Sequence, residues 1–280
     1  MPSYDSARDR FRLADRHIAA LGHLVGGAPF PDDLEPSLAD LRHAGLVSAD
    51  NLISPLLSEL LGVLDAPVVL IQVEVSGEHG LLNSGVLVGA ERVFSHTGWP
   101  GEEESEYVAI EPAMLMWELA RMVNLRRSEP VNGGDHLDIE TSTGVLDAVF
   151  AELGQLPAED IEREGVARER ARATLAEKGG LQEPAQSLFA DLITSLKASW
   201  RISVAWQAGR SEGPFREVRG LAVWDCGPHG YWHRRSPAEP IAPEQLSPET
   251  PLTLVRVSKG ELWEMMADLL PSEAEITDEG

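Results

Sequence analysis

The sequence predicts an α+β fold in which one unit occurs twice, giving a pseudo-two-fold scaffold around a large central sheet. Three features recur in the same order: an amphipathic segment that ends at Gly and is followed by Leu, an apolar strand, and a helix that carries Trp-Glu and then an aliphatic residue. They lie at residues 38–46, 68–75 and 117–119, and again at residues 173–181, 200–206 and 263–265. Because the spacing between copies is not constant, the pattern indicates an old internal duplication with altered loops rather than a tandem array.

The charge balance is strongly acidic. The chain of 280 residues has a formal net charge of −23, while its apolar fraction of 43% is ordinary for a globular protein. Such a surface repels phosphate backbones and anionic lipid, so we expect neither nucleic acid nor a membrane as partner. Two acidic runs, at residues 102–106 and 273–279, are expected to be a solvated loop and a frayed terminus.

A single cysteine, Cys226, excludes an internal disulfide framework and favours a reducing compartment. The first residues lack the apolar core of a signal peptide, and no stretch reaches the length of a membrane span. We therefore expect a soluble cytoplasmic protein without membrane insertion.

Helices are predicted before each of the two apolar strands. Residues 8–25 carry apolar side chains at helical spacing and end at a Gly pair, so we expect one helix there. Gly45 suits the end of a second helix. Ser54 followed by Pro55 is typical of the N-cap and first residue of a third helix, which is expected to run to about residue 64.

The strands are predicted from alternation. In residues 200–206 large apolar side chains occupy every second position and small or polar ones lie between them, so one face of the strand is buried. Residues 69–75 repeat the pattern in the first half. Each strand is followed by a hairpin-like connection, at residues 76–84 and 208–219, as in an antiparallel meander.

A charged linker at residues 126–134 separates the copies, followed by a helix at residues 143–153 and a highly charged helical stretch at residues 157–178. The predicted organisation is an N-terminal helical extension (1–34), a first α+β repeat (35–125), a charged linker with helices (126–170), a second α+β repeat (171–271) and an acidic tail (272–280).

The cluster richest in reactive side chains contains Cys226, His229 and His233. A thiolate with a His base is one interpretation, and a metal site is another, although zinc needs a fourth ligand and no second Cys/His pair exists. We favour a third, a β-hairpin with its turn at Cys226, because apolar strands flank the cluster and the matching segment of the first half has neither Cys nor His.

The sequence contains no P-loop, no Gly-x-Gly-x-x-Gly after a strand, no Gly-x-Ser-x-Gly and no His-Glu-x-x-His. His96 stands alone near a strand end and is expected to be structural. We therefore expect no catalytic residue, no metal and no cofactor. Most of the seven Trp residues are expected in the core, with a minority at strand edges as binding anchors.

These segments resemble the two repeats of the EspG family, the cytosolic chaperones of actinobacterial type VII (ESX) secretion. The resemblance lies in Leu-Arg-His-Ala-Gly-Leu-Val at residues 41–47, the helix after it, and residues 64–71, 180–206 and 251–271. It extends over roughly residues 35–125 and 170–271 and rests on spacing and apolarity. The chain differs from the family in its charged N-terminus, which carries no Trp before Trp99.

The resemblance implies a central antiparallel sheet flanked by helical bundles, no enzymatic activity, and binding to the hydrophobic tip of the PPE protein in PE–PPE secretion substrates. Such binding keeps the substrates soluble for export. The expected partner is thus a PE–PPE-like pair or another helical secretion substrate, and no oligomeric state follows from the sequence. The alternative function is a small hydrolase or metal-dependent enzyme that uses Cys226, His229 and His233.

The candidate partner-binding segment is the loop at residues 208–219. It follows the clearest strand and brings Phe215, Arg216 and Arg219 together in an otherwise acidic protein. An apolar residue among cations suits the docking of an amphipathic helical tip.

Overall fold

The structure is a computed structural model of the chain. It describes residues 1–27, 30–125, 138–157, 165–207, 217–235 and 245–277. In these residues the strands form one large antiparallel sheet. Along the chain the helices come between groups of strands, which confirms the α+β class. The linker predicted at residues 126–134 lies outside the described residues.

The strands are β1 (Ser3–Asp5), β2 (Arg10–Ala14), β3 (Val69–Gly77), β4 (Gly80–Val88), β5 (Val93–Gly98), β6 (Glu104–Ile110), β7 (Ile139–Ser142), β8 (Ala198–Trp206), β9 (Glu217–Asp225), β10 (Tyr231–Arg234) and β11 (Pro251–Val257). The helices are α1 (Asp15–Gly26), α2 (Glu35–His43), α3 (Ser58–Asp65), α4 (Leu115–Met122), α5 (Thr143–Leu153), α6 (Val166–Lys178), α7 (Ala185–Thr194), α8 (Lys259–Asp268) and α9 (Glu273–Thr277). Within the described residues the hydrogen-bonded strand order is β1-β2-β6-β5-β4-β3-β8-β9-β10-β11-β7.

The chain divides into two compact units, and the division falls inside β8, β9 and α8. The first unit comprises Met1–Leu125, Arg201–Gly220 and Met266–Gly280, and the second comprises Arg126–Trp200 and Leu221–Met265. Within the described residues, no helix is long and apolar enough to cross a membrane.

In the first unit, α1, α2 and α3 cover one face of the sheet. Their leucines pack against Phe11 of β2, Leu87 of β4, Phe94 of β5 and Tyr107 of β6. Burying such large side chains stabilises the fold by about 2–3 kcal/mol each, so the contact between the helices and the sheet is a main source of this unit's stability.

The N-terminal segment corrects the predicted helix at residues 8–25. The helix begins only at Asp15, because residues 10–14 form β2 and pair with β6. Phe11 and Leu13 are buried, whereas Arg10 and Arg12, which alternate with them, are half-buried, and this is the period of a strand. The apolar spacing from Phe11 to Ile18 also fits a helix, so local pattern alone did not separate the two.

The strand and cap predictions of the first repeat are confirmed. Ile71 and Val73 of β3 are buried, and the intervening Gln72 is exposed. Ser54 Oγ accepts a hydrogen bond from Leu56 N at 3.4 Å, ahead of α3. Gly45 has φ +71°, a left-handed conformation that favours glycine after a helix.

The other face of the first unit's sheet carries α4. Glu118 accepts hydrogen bonds from Arg121 and Ser95. The pKa of Glu118 is lowered, and the hydrogen bond from the Arg121 guanidinium is the largest cause. Arg121 also donates to Thr97 Oγ1 at 3.5 Å. Ser95 and Thr97 alternate along β5 with Phe94, which faces the other helices, so α4 lies on the opposite side.

The second unit has the same kind of core. Its helices α5, α6 and α7 contribute Val149, Leu175 and Phe189, which cluster with Trp224 of β9 and Leu254 of β11. Helix α5 spans the predicted residues 143–153. Of the helical stretch predicted at residues 157–178, the structure describes α6 from residue 166 onward.

The order of elements occurs twice along the chain. The series β2-α1-α2-α3-β3-β4-β5-β6-α4 is followed by β7-α5-α6-α7-β8-β9-β10-β11-α8. Strand registers match as well: Phe11 pairs with Tyr107 four residues before α1 begins, and Ile139 pairs with Leu254 four residues before α5 begins.

Candidate partner-binding surface

Of the three partner-binding residues predicted from sequence, the structure describes one. Phe215 and Arg216 lie outside the described residues. Arg219 lies in β9, three residues into the strand, within the first unit. Contact of these residues with a partner stays a prediction.

Arg219 makes contacts with the C-terminal segment of its own chain. The guanidinium carbon lies 4.8 Å from the ring centroid of Trp206 on the neighbouring strand β8, within the range of a cation–π contact. Its Nη1 donates to the carbonyl oxygens of Asp268 at 3.4 Å and Leu270 at 3.3 Å, and its Nη2 donates to Glu275. Arginine suits this position because its planar group stacks on a ring and donates in several directions at once.

The carboxylate that meets Arg219 is fixed by its own helix. Glu275 Oε2 accepts from Ser272 N at 2.8 Å and from Ser272 Oγ at 2.9 Å, while Glu275 N donates back to Ser272 Oγ. This reciprocal pair is a capping box at the start of α9. The hydrogen bonds from Ser272 are the first cause, and Arg219 a further one, of the lowered pKa of Glu275.

The described part of the acidic tail is thus a short helix rather than a frayed terminus. A sequence signal for it existed, since Ser272 and Glu275 have the spacing of a capping box. No local pattern indicates its attachment to Arg219, which lies more than fifty residues away in the chain.

The acidic run at residues 102–106 is also not a free solvated loop. Part of it forms β6, and its glutamates pair with cations of β2, α1 and the N-terminus. The pairs are Arg12–Glu102, Arg16–Glu103, Met1 N–Glu104 at 2.5 Å and Arg10–Glu106 at 2.7 Å. The first unit therefore neutralises its densest acidic segment internally.

Several large apolar side chains remain on the surface of the first unit. Those at least 48% exposed in the described strands, helices and connections include Leu81, Trp99, Met114, Trp117 and Val218. Val218 is 65% exposed and directly precedes Arg219. Trp200, Trp206, Trp224 and Trp232 are buried, which confirms that most tryptophans belong to the core.

The Cys226 cluster forms the predicted hairpin. Strands β9 and β10 pair antiparallel with Trp224 opposite Trp232, and a short helical turn joins them. Cys226 is fully buried, and burial raises the pKa of its thiol to about 12. A thiol with that pKa is protonated at neutral pH and is a poor nucleophile.

The two histidines of the cluster have different environments. His229 accepts a hydrogen bond from Trp232 Nε1 through its backbone oxygen, at 3.1 Å. Burial lowers the pKa of His233, which favours its neutral form. Among the residues that the structure describes, no group of three or more His, Cys, Asp or Glu side chains could hold a metal ion.

His96 lies in β5, where its ring stacks on Tyr107 with 5.8 Å between centroids. It lies over Gly85 of β4, where an added Cβ would be 2.7 Å from Nε2. Burial lowers the pKa of His96, so the ring is neutral at physiological pH. This packing agrees with the structural role expected from sequence.

Comparison with known proteins gives a fold but no family. No family model matches the sequence, and no curated protein matches it. Among solved structures, the chain is similar to the Mycobacterium tuberculosis type VII secretion system chaperone EspG5, solved in complex with a PE25–PPE41 dimer. The two share 10% sequence identity and superpose with a TM-score of 0.54 over 94% of this chain and 97% of that chain. The chain therefore has an EspG-like fold along almost its whole length.

Proposed function

We propose that this protein is a cytoplasmic chaperone of the type VII secretion kind, which binds a PE–PPE-like or other helical secretion substrate and keeps it soluble for export. The observation that carries the proposal is the likeness to EspG5 over nearly the full length of both chains. A similarity limited to the core of the fold would support a shared function less, because function depends on the surface features that a fold carries.

The repeated order of the described elements supports the same proposal. We infer that the two series of elements descend from one unit, since they agree in order and in the register of the outer strands. Within each unit, helices pack on the sheet and stiffen it, and rigid surfaces bind helical segments without a large ordering penalty.

The enzymatic alternative has less support. A hydrolase built on Cys226 would need an accessible thiol of lowered pKa, whereas burial raises the pKa of this thiol to about 12. A zinc enzyme would need further ligands around His229 and His233. We therefore propose that the protein acts by binding rather than by catalysis.

The test is co-expression with the PE–PPE-like pair encoded nearest the gene. We expect a soluble one-to-one complex on size exclusion, and we expect Phe215→Ala with Arg216→Glu to weaken it. The matched control is Leu52→Ala with Arg8→Glu, which also truncates an apolar side chain and reverses a charge; Leu52 and the Arg8 side chain are each 69% exposed. Recovery of the substrate as unaggregated protein without this chain, with no co-elution at micromolar concentration, would refute the proposal.

A further inference from the structure

We propose that the C-terminal segment at residues 271–277, called the strap below, covers the surface formed by Arg219 and Trp206 as an internal ligand and is displaced from it by an acidic helical turn of the partner. The inference rests on the proposed function, because it assigns regulation and partner chemistry to the same surface. It is carried by the contacts of Arg219 with Trp206 and Glu275.

The strap identifies the chemistry that this surface accepts. A guanidinium on an aromatic face pairs with one carboxylate, which belongs to the first turn of a short helix. The residue after that carboxylate, Ile276, is aliphatic and half-buried. The matching partner feature is therefore a helix start with Ser or Thr, then Glu or Asp three residues later, then an aliphatic residue.

The strap is held weakly compared with the helix before it. No residue of α9 is fully buried, whereas Leu262 and Met266 of α8 have no exposed surface. The side chains of Arg219 and Glu275 are 36% and 38% exposed, so solvent screens their attraction. A five-residue helix also has little stability of its own. Opening the strap thus leaves the core of the first unit intact.

Displacement of the strap by a partner replaces one carboxylate at Arg219 with another. Arg219 releases Glu275 and gains another carboxylate, so no buried charge is left unpaired. The released Glu275 carboxylate is hydrated by water, so its charge is not left unpaired in the protein interior either. The face of Trp206 is covered before and after the exchange, which prevents an exposed aromatic surface from causing aggregation.

The ion pair can be broken from either side, and the two variants have opposite consequences under this proposal. Glu275→Gln weakens the strap and leaves the site intact, so the substrate should bind about three- to fivefold more tightly. Arg219→Gln weakens the strap and also damages the site, so the substrate should bind more weakly, with partial recovery in Arg219→Lys. Glu273→Gln is the matched control: it removes the same charge from the same helix without touching Arg219, and affinity should not change.

A purely structural ion pair would make the Glu275→Gln and Arg219→Gln variants behave alike. Equal losses of substrate affinity in the two variants, or no change in either, would overturn the proposal that the strap is an internal ligand. If neither the wild-type chain nor any variant binds a substrate, the proposed function fails, and amide hydrogen exchange of the free protein decides the inference separately.

In that exchange experiment, residues 271–277 of the wild-type chain should exchange at least about tenfold faster than α8, and Glu275→Gln should accelerate them a further three- to fivefold. Exchange as slow as in α8 would show a permanent part of the fold and would overturn the proposal.

Discussion

Substitution of Gly85 by Ala is expected to be strongly destabilising, although the change adds only one methyl group. Gly85 lies in β4, opposite His96 of β5. A Cβ built on it would lie 2.3 Å from the backbone oxygen of Ile71 and 2.7 Å from His96 Nε2. Carbon and carbonyl oxygen in neighbouring strands approach no closer than about 3.3 Å, so β3 and β4 would have to move apart by about 1 Å.

The two clashes differ in how they can be relieved. The His96 ring can rotate away, but the Ile71 oxygen belongs to the sheet and moves only with its strand. Overpacking of this kind costs typically 1–3 kcal/mol, and we expect Gly85→Ala to reach about 3 kcal/mol because backbone is involved. His96→Ala added to Gly85→Ala should recover less than half of the loss.

The assay is urea unfolding followed by tryptophan fluorescence and far-UV circular dichroism, with equal m values required for the comparison. Gly22→Ala is the control, since Gly22 lies in α1 with nothing within 4 Å of an added Cβ. The control should gain about 1 kcal/mol from helix propensity. A Gly85→Ala variant within about 0.5 kcal/mol of the wild type would refute the close approach of the two strands.

Four further outcomes are expected. A double-mutant cycle with Arg10→Gln and Glu106→Gln should give a coupling of about 0.5–1 kcal/mol, because the pair is partly shielded; no coupling would mean that the acidic run does not anchor β2. The free energy of unfolding should fall as the pH drops below the ordinary His pKa of 6.5, because burial lowers the pKa of His96 and the unfolded chain therefore binds protons better. His96→Asn should make the free energy of unfolding depend less steeply on pH, and an unchanged pH dependence would contradict the assignment to His96. Cys226→Ser should cost at most about 1–2 kcal/mol, and stoichiometric zinc that disappears with the substitution would revive the metal hypothesis. Finally, the two series of elements should superpose after a near-two-fold rotation in an experimental structure, and strands with unrelated neighbours would contradict the duplication.

The strands that order the sheet could be predicted from sequence because their signal is local. Residues 69–75 and 200–206 alternate so regularly that only a half-buried strand fits them, and both are strands. The hairpin at Cys226 was equally accessible, since apolar strands flank a Gly-Pro turn.

The features that were missed depend on distant partners. Residues 10–14 become a strand because β6 is available to pair with them, almost a hundred residues later in the chain. The acidic run is expected to be solvated until the arginines of β2 and α1 are placed beside it. Arg219 was a candidate because of its charge and its place near Phe215 after the clearest strand, and neither segment's sequence indicates its attachment to Glu275. Long-range electrostatic pairing carries no local period, so sequence patterns do not encode it.

The two series of described elements have the same order but differ in the connection for which we predict partner binding. Glu78 and His79 alone join β3 to β4, because Gly77 pairs with Gly80. The equivalent connection between β8 and β9 has ten residues, 207–216. A two-residue turn has no room for an apolar anchor between cations, whereas the longer loop contains one in Phe215. A chain with an equally long loop in each series could carry two binding loops, but the candidate binding residues occur in only one of the two connections. The duplication therefore leads us to expect one substrate per chain, and a complex mass by light scattering that equals two substrates per chain would refute the assignment of binding to the longer loop.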